Sequence, residues 1–178
     1  MKISASVSLL FSISIVAALA LTAPPEARAE VRAGARAADF VSVVDASGKR
    51  VSLNSYRDRI VVMTFGASWC EPCKRELPAM EKLARGYLKR RAPVVFLAVN
   101  IDNELARGQK FMKQAGLRAV RTAYDSAKST VESYDPPTMP STFIIRGGVV
   151  RHVHAGYSRG DESRLAAAIE RELRYAAR

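Results

Sequence analysis

The chain has 178 residues, 48% of them hydrophobic and 25% charged, with a net charge of +11. That length and balance suit one domain with a sizeable core, which excludes a disordered chain and a disulfide-stapled mini-protein. The positive charge is scattered, with only Lys89-Arg90-Arg91 forming a run, and no aromatic–basic interleaving supports nucleic-acid binding.

Residues 1–29 read as a segment apart. Met1 and Lys2 give a short positive start, and Val7 to Leu21 is apolar apart from Ser8, Ser12 and Ser14. Ala27-Arg28-Ala29 fits a small-x-small cleavage site, so a signal peptide ending there leaves a mature domain of residues 30–178. An uncleaved anchor is the competing reading, because Ile3 to Ala23 is uncharged and a span needs roughly 20 residues. Either reading carries the domain to the periplasm or another extracytoplasmic compartment, with a possible tether through residues 3–23.

Residues 30–38 look like a lead-in. Phe40–Val44 and Arg50–Leu53 flank Asp45-Ala46-Ser47-Gly48, the pattern of a small hairpin. Ile60–Phe65 is a continuous apolar run, as in a strand buried on both faces. From Glu71 to about Arg91, Leu77, Met80, Ala84, Tyr87 and Leu88 mark one face of an amphipathic helix. Pro78 lies inside it and predicts a kink. Val94–Asn100 reads as a second buried strand, and Asn103–Ala115 as a helix closed by Gly116. A short strand over Val120–Tyr124 and a short helix over Ser126–Tyr134 follow. Thr142–Arg146 and Val149–Ala155 flank Gly147-Gly148, a hairpin signal. Leu165, Ile169 and Leu173 give the last helix its stripe. The alternation predicts an α/β fold with a central mixed sheet.

Both cysteines of the chain fall in one CxxC, Cys70-Glu71-Pro72-Cys73. A thiol–disulfide exchanger needs one thiolate near ambient pH and a second thiol close enough to resolve the mixed disulfide. Cys70 follows a strand and opens a helix, where unpaired N–H groups and the helix dipole favour an anion. Cys73, one turn in, is expected to be the more buried and to attack second. Pro72 is tolerated in a first helical turn. A zinc site needs about four ligands. The only other soft candidates are His152 and His154, which alternate on one side of the last strand and suit surface positions. No metal and no cofactor are therefore assigned. Pro140, in Thr138-Met139-Pro140-Ser141-Thr142-Phe143 just before a strand, suggests a cis Met139–Pro140 bond facing the cysteines. That would offer the backbone of Met139 to a bound peptide.

Residues 35–178 resemble the TlpA/ResA-like branch of the thioredoxin superfamily, within the redoxin group. The resemblance rests on Ala38-Asp39-Phe40, on Gly48-Lys49-x-Val51-x-Leu53, on Val61 through Cys73 with Lys74, Glu76 and Pro78, and on Pro140-Ser141-Thr142-Phe143. It implies a three-layer α/β/α thioredoxin-like fold with an N-terminal β-hairpin and an extra helix-and-strand unit before the cis proline. It also implies Cys70 as attacking thiol, Cys73 as resolving thiol and Pro140 as the cis proline. Trp69 and Met139 would contact the substrate, and Glu76 would be an acidic residue managing protons near the thiols. A plain helix-surface glutamate is the competing reading of Glu76. Thr64 stands where thioredoxin carries a buried acid, which moves proton transfer onto Glu76 or water. Pro136 and Pro137 stiffen the approach to Pro140, where the branch usually carries a glycine.

The resemblance implies a reductant of protein disulfides, kept reduced by a membrane thiol-transfer protein, and a monomer is expected. Its targets would be disulfides of apocytochrome c or of copper-site assembly proteins. Thiol peroxidase is one alternative, although Ala67 stands where such enzymes place a threonine three residues before the cysteine. A copper-handling module using the two thiolates and a histidine is another. Glu71 and Glu76 oppose thiolate formation and Lys74 and Arg75 partly offset them. That predicts a potential nearer the about −270 mV of thioredoxin than the about −120 mV of a strong oxidant.

Overall fold

The computed structural model describes residues 31–176. The signal-peptide and anchor readings of residues 1–29 lie outside the described residues. Five strands form one sheet: β1 (Ile60–Gly66), β2 (Val94–Asn100), β3 (Arg121–Tyr124), β4 (Ser141–Arg146) and β5 (Val149–Ala155). Four helices join them: α1 (Glu71–Lys89), α2 (Leu105–Gln114), α3 (Ser129–Tyr134) and α4 (Asp161–Ala176). The sheet order is β3-β2-β1-β4-β5. β1 pairs parallel with β2, which pairs parallel with β3; β1–β4 and β4–β5 are antiparallel. This is the mixed sheet the alternation predicted.

β1 is buried along its whole length because it is central and covered on both faces. Side chains alternate between the faces. Ile60 and Val62 meet a core built from α1, α2 and α4, through Leu77, Met80, Phe111 and Ile169. Val61, Met63 and Phe65 meet Phe40, Val43, Leu53 and Tyr134 on the other face. That second layer consists of the short α3 and the irregular N-terminal segment. Phe65, Tyr134 and Phe143 stack there with centroids 5.1–5.9 Å apart, in the tilted and edge-on arrangements that aromatic rings prefer.

Two local expectations change. The N-terminal hairpin is present only as a tight turn with one bridge, Val44 to Arg50, rather than two strands. Val44 also bridges Tyr124, its N–H donating to Tyr124 O at 3.1 Å and its O accepting at 2.8 Å. The segment thus pairs with the β3 edge as well as with itself. Asp39 fastens it: its carboxylate accepts from Leu53 N–H at 2.6 Å and Ser52 Oγ at 2.8 Å, and from the Asn54 side chain. The second change is Leu88, which is 68% exposed. The buried face of α1 runs through Leu77, Met80, Ala84 and Tyr87, and includes two acids, Glu76 and Glu81. The helix continues through Pro78, which is on its exposed side.

Candidate active site

β1 ends at Gly66, and the four residues Ala67 to Cys70 turn the chain into α1. A polar network holds this turn. Asp102, just past β2, accepts from Ser68 N–H at 3.0 Å, Ser68 Oγ at 2.8 Å and Asn100 Nδ2 at 2.8 Å. Asn100 and Asp102 are buried. Gly108 on α2 leaves room for Asn100, since a Cβ at that position would lie 2.0 Å from Asn100 Oδ1. None of these supports was anticipated from the sequence. The only signal was a pair of polar residues closing an otherwise apolar strand.

Cys70 caps α1, with Cys73 N–H donating to its Sγ at 3.2 Å. The two cysteines form a disulfide with Cα atoms 5.3 Å apart. Cys70 is 4% exposed and Cys73 fully buried, the order expected of an outer and an inner thiol. Trp69, beside them, is 61% exposed. The Met139–Pro140 peptide is cis. Pro140 is buried, and half-buried Met139 packs on the core cluster that contains both cysteines.

Glu76 is 3% exposed, so the helix-surface reading of this residue does not hold. Its carboxyl sits between two threonine hydroxyls, Thr64 Oγ1 at 2.9 Å and Thr142 Oγ1 at 2.7 Å. Thr64 on β1 and Thr142 on β4 are direct cross-strand partners, so the sheet register builds the clamp. The threonine in place of a buried acid is therefore one of the residues that hold Glu76. Burial pushes the Glu76 carboxyl up to about 7; the hydroxyl bonds from Thr142 and Thr64 counter this only partly, and the charge of Asp161 adds to the rise. A carboxyl of that kind is poised to take or give a proton near neutral pH.

Two facts place Glu76 beside the inner thiol. Cys73 lies over Gly66, where a Cβ would be 3.5 Å from Cys73 Cβ and 3.6 Å from its Sγ. Glu76 lies over Thr64, two residues back on the same face of β1. The spacings match, because residues three apart on a helix are neighbours at roughly 5–6 Å. Glu71, by contrast, is exposed and ion-paired with Lys74 at 2.8 Å. The hydrogen bond and charge of Lys74 hold it below the usual carboxylate range.

His152 and His154 face α4 from β5 and are half-buried rather than surface residues. His154 lies 3.1 Å from Asp161. Among the described residues, no group of three or more His, Cys, Asp and Glu side chains is placed to hold a metal ion, and no helix is long and apolar enough to cross a membrane. A groove of ≈ 500 Å³ between α1 and α4 runs past Leu83, Gly86 and Ala166 but touches neither cysteine nor Glu76.

The Redoxin family model matches residues 32–169. The thioredoxin-like protein YneN of Bacillus subtilis is 34% identical over 134 residues, covering 71% of this chain and 73% of YneN. The thiol-disulfide oxidoreductase ResA of Geobacillus kaustophilus is 33% identical over 127 residues, 71% of each chain. Among solved structures, a Chlorobium tepidum protein assigned as the thiol:disulfide interchange protein DsbE superposes with a TM-score of 0.73 at 28% identity. That match covers 81% of this chain and 99% of that one.

Proposed function

Since the chain belongs to the redoxin family and is a ResA-like thiol–disulfide oxidoreductase, we propose that it works outside the cytoplasm as a reductant of protein disulfides. The observation that carries this reading is a buried, near-neutral carboxyl next to the inner cysteine of a CxxC at a helix start. In the reduced enzyme the Cys70 thiolate attacks one sulfur of the target disulfide. A mixed disulfide forms and one target thiolate leaves. The Cys73 thiol then gives its proton to the Glu76 carboxylate, and the new thiolate attacks Cys70 Sγ. The Cys70–Cys73 disulfide forms and the second target thiolate leaves. Two electrons pass to the target, and the enzyme's second proton rests on Glu76 until solvent takes it.

Trp69 and Met139 are the surface on which the target chain lies, with the cis Pro140 presenting the Met139 backbone to it. Trp69 supports this by its exposure beside Cys70, and Met139 by its contact with the cysteine-bearing core. The N-terminal segment, as signal peptide or anchor, supports export, and a membrane thiol-transfer protein is the electron donor. Apocytochrome c and copper-site assembly proteins are the target classes, with the enzyme acting as a monomer. Thiol peroxidase chemistry is disfavoured because Ala67, fully buried, replaces the hydroxyl such sites use.

The test is trapping. Cys73→Ala expressed in the native host is expected to accumulate mixed disulfides through Cys70 with exported proteins, and Cys70→Ala none. Trapping only cytoplasmic partners refutes the location. Equilibration with glutathione checks direction: a potential at the oxidant end, near about −120 mV, refutes the reductant reading.

A further inference from the structure

A buried carboxyl that trades protons must also reach solvent. Beside Glu76, on the β4–β5 side, lies a cavity of ≈ 10 Å³ whose polar wall includes Glu76, Thr142, His154, Tyr157 and Asp161 and whose apolar wall includes Met80 and Leu165. That is about the volume one water requires. The register explains why these groups meet. Thr64, Thr142 and His154 are successive cross-strand partners on β1, β4 and β5. They form a polar row across the sheet face that α1 and α4 cover, next to the apolar row of Val62 and Ile144.

His154 occupies the outer end of this row. Its side chain is 19% exposed and that of Asp161 14%, so the pair reaches the surface while Glu76 does not. Nε2 lies 3.1 Å from Asp161 Oδ2, yet the two are not aligned as a hydrogen bond, and Nε2 is buried with no other partner. Asp161 is held independently: its Oδ2 accepts from Ser158 N–H at 2.7 Å, and Arg164 lies 3.7 Å from its Oδ1. The bond from Ser158 N–H and the place of Asp161 in the first turn of α4 account for this acid but do not call for a histidine.

We propose that His154, which faces the Asp161 carboxylate, is the proton exit for Glu76. The proposal rests on the reading of Glu76 as the acceptor of the Cys73 proton. Once Glu76 has taken the Cys73 proton, and before the new thiolate attacks, the Glu76 O–H bond breaks and its proton passes to a water in the cavity, which keeps the proton from returning to the sulfur. That water gives one of its own protons to the imidazole. The imidazolium, facing the Asp161 carboxylate, releases a proton to bulk solvent. No electrons move, and each group returns to its starting form. The charged and titratable groups bearing on this path are Glu76 from α1, His152 from β5, Tyr157 from the loop, and Asp161, Glu162 and Arg164 from α4. His154 is a positioning residue here, since it touches neither sulfur.

The test compares the purified protein with His154→Leu, Asp161→Asn and Glu76→Gln, and with the Glu76→Gln/His154→Leu double variant. The rate of the resolving step is followed from pH 5 to 9 at low and high imidazole. His154→Leu is expected to slow that step about tenfold in weak buffer, with added imidazole restoring the rate. Alkylation of Cys70 should not change. Glu76→Gln should be slow and beyond rescue, and the double variant no slower than Glu76→Gln alone. A His154→Leu protein with the parent's rate and pH profile overturns the exit, as does a slow one that imidazole does not restore. Should His154→Leu fail to fold, Asp161→Asn, which keeps an acceptor for Ser158 N–H, decides by the same imidazole readout. If Glu76→Gln itself exchanges normally, the underlying reading of Glu76 fails, a result distinct from failure at His154.

Discussion

Two glutamates five residues apart on α1, Glu76 and Glu81, are both buried, yet they are in opposite electrostatic states. Burial pushes the pKa of each upward. At Glu81 it is outweighed by hydrogen bonds from the backbone N–H groups of Val120, Arg118 and Ala119 and from Arg85, which bring the carboxyl down to about 2. The contacts are 2.9–3.1 Å to the three backbone groups and 2.7 Å to Arg85. Glu76 has only two hydroxyls, and stays near 7. A backbone N–H can only donate, so it favours the anion. A threonine hydroxyl can donate to a carboxylate or accept from a carboxylic acid, so it serves either form. Glu81 is therefore a fixed charge that clasps the segment entering β3. Glu76 is a group able to change protonation beside the thiols.

The sharpest way to break this comparison is Glu81→Ala. It leaves three backbone donors without their acceptor and is expected to cost on the order of 3–5 kcal/mol in urea unfolding. The exchange rate per folded molecule should stay within about twofold, since Glu81 serves the fold. A large loss of rate without loss of stability would reverse the two roles.

The pH dependence of stability separates them next. Glu81 has a depressed pKa, about 2 against an ordinary 4.5. Its contribution is present above 4.5 and lost as pH falls toward 2. Glu76 has a raised one, about 7 against 4.5. Its protonated form is favoured in the fold, so stability falls as pH rises from 4.5 to 7 and then levels. Each limb is worth on the order of 2–3 kcal/mol. Urea unfolding across pH should show Glu81→Gln flattening the acid limb and Glu76→Gln the neutral one. If Glu76→Gln leaves the neutral limb intact, another group causes it.

On activity the expected effect is smaller in energy. Glu76→Gln should slow the resolving step about tenfold or more at pH 7 and remove the inflection near neutrality from the pH–rate profile. Stopped-flow release of the second target thiol measures this.

The smallest effect tests the hydroxyl clamp. Thr142→Val removes the shorter of the two bonds that lower the Glu76 pKa. The pH–rate inflection should therefore move upward, by on the order of half a unit. Carboxyl-labelled NMR gives the same quantity directly. A downward move would mean that Thr142 mainly accepts from the protonated acid.

Much of this molecule was legible along the chain. β1, β2 and the β4–β5 hairpin lie within a residue or two of their predicted spans, because a buried strand and a Gly-Gly turn are local patterns. The CxxC at a strand-to-helix turn was readable for the same reason. Leu88 misled because an apolar residue beside the stripe looks like part of it, whereas the helix turns it to solvent. Glu81 had left a trace, an acid among Leu77, Met80 and Ala84 on the buried face.

The sequence alone determined the chemistry on offer: two thiols three residues apart, a helix start to favour an anion, and an acid one turn beyond the second thiol. The tertiary structure decided the state of that acid. Thr64 is 12 residues from Glu76 and Thr142 is 66, and they meet it only because β1 and β4 pair in one register. His154 joins them through the next strand. A proton's affinity for a carboxyl depends on the solvent removed and the donors gathered around it. Both come from parts of the chain that are distant until the sheet forms.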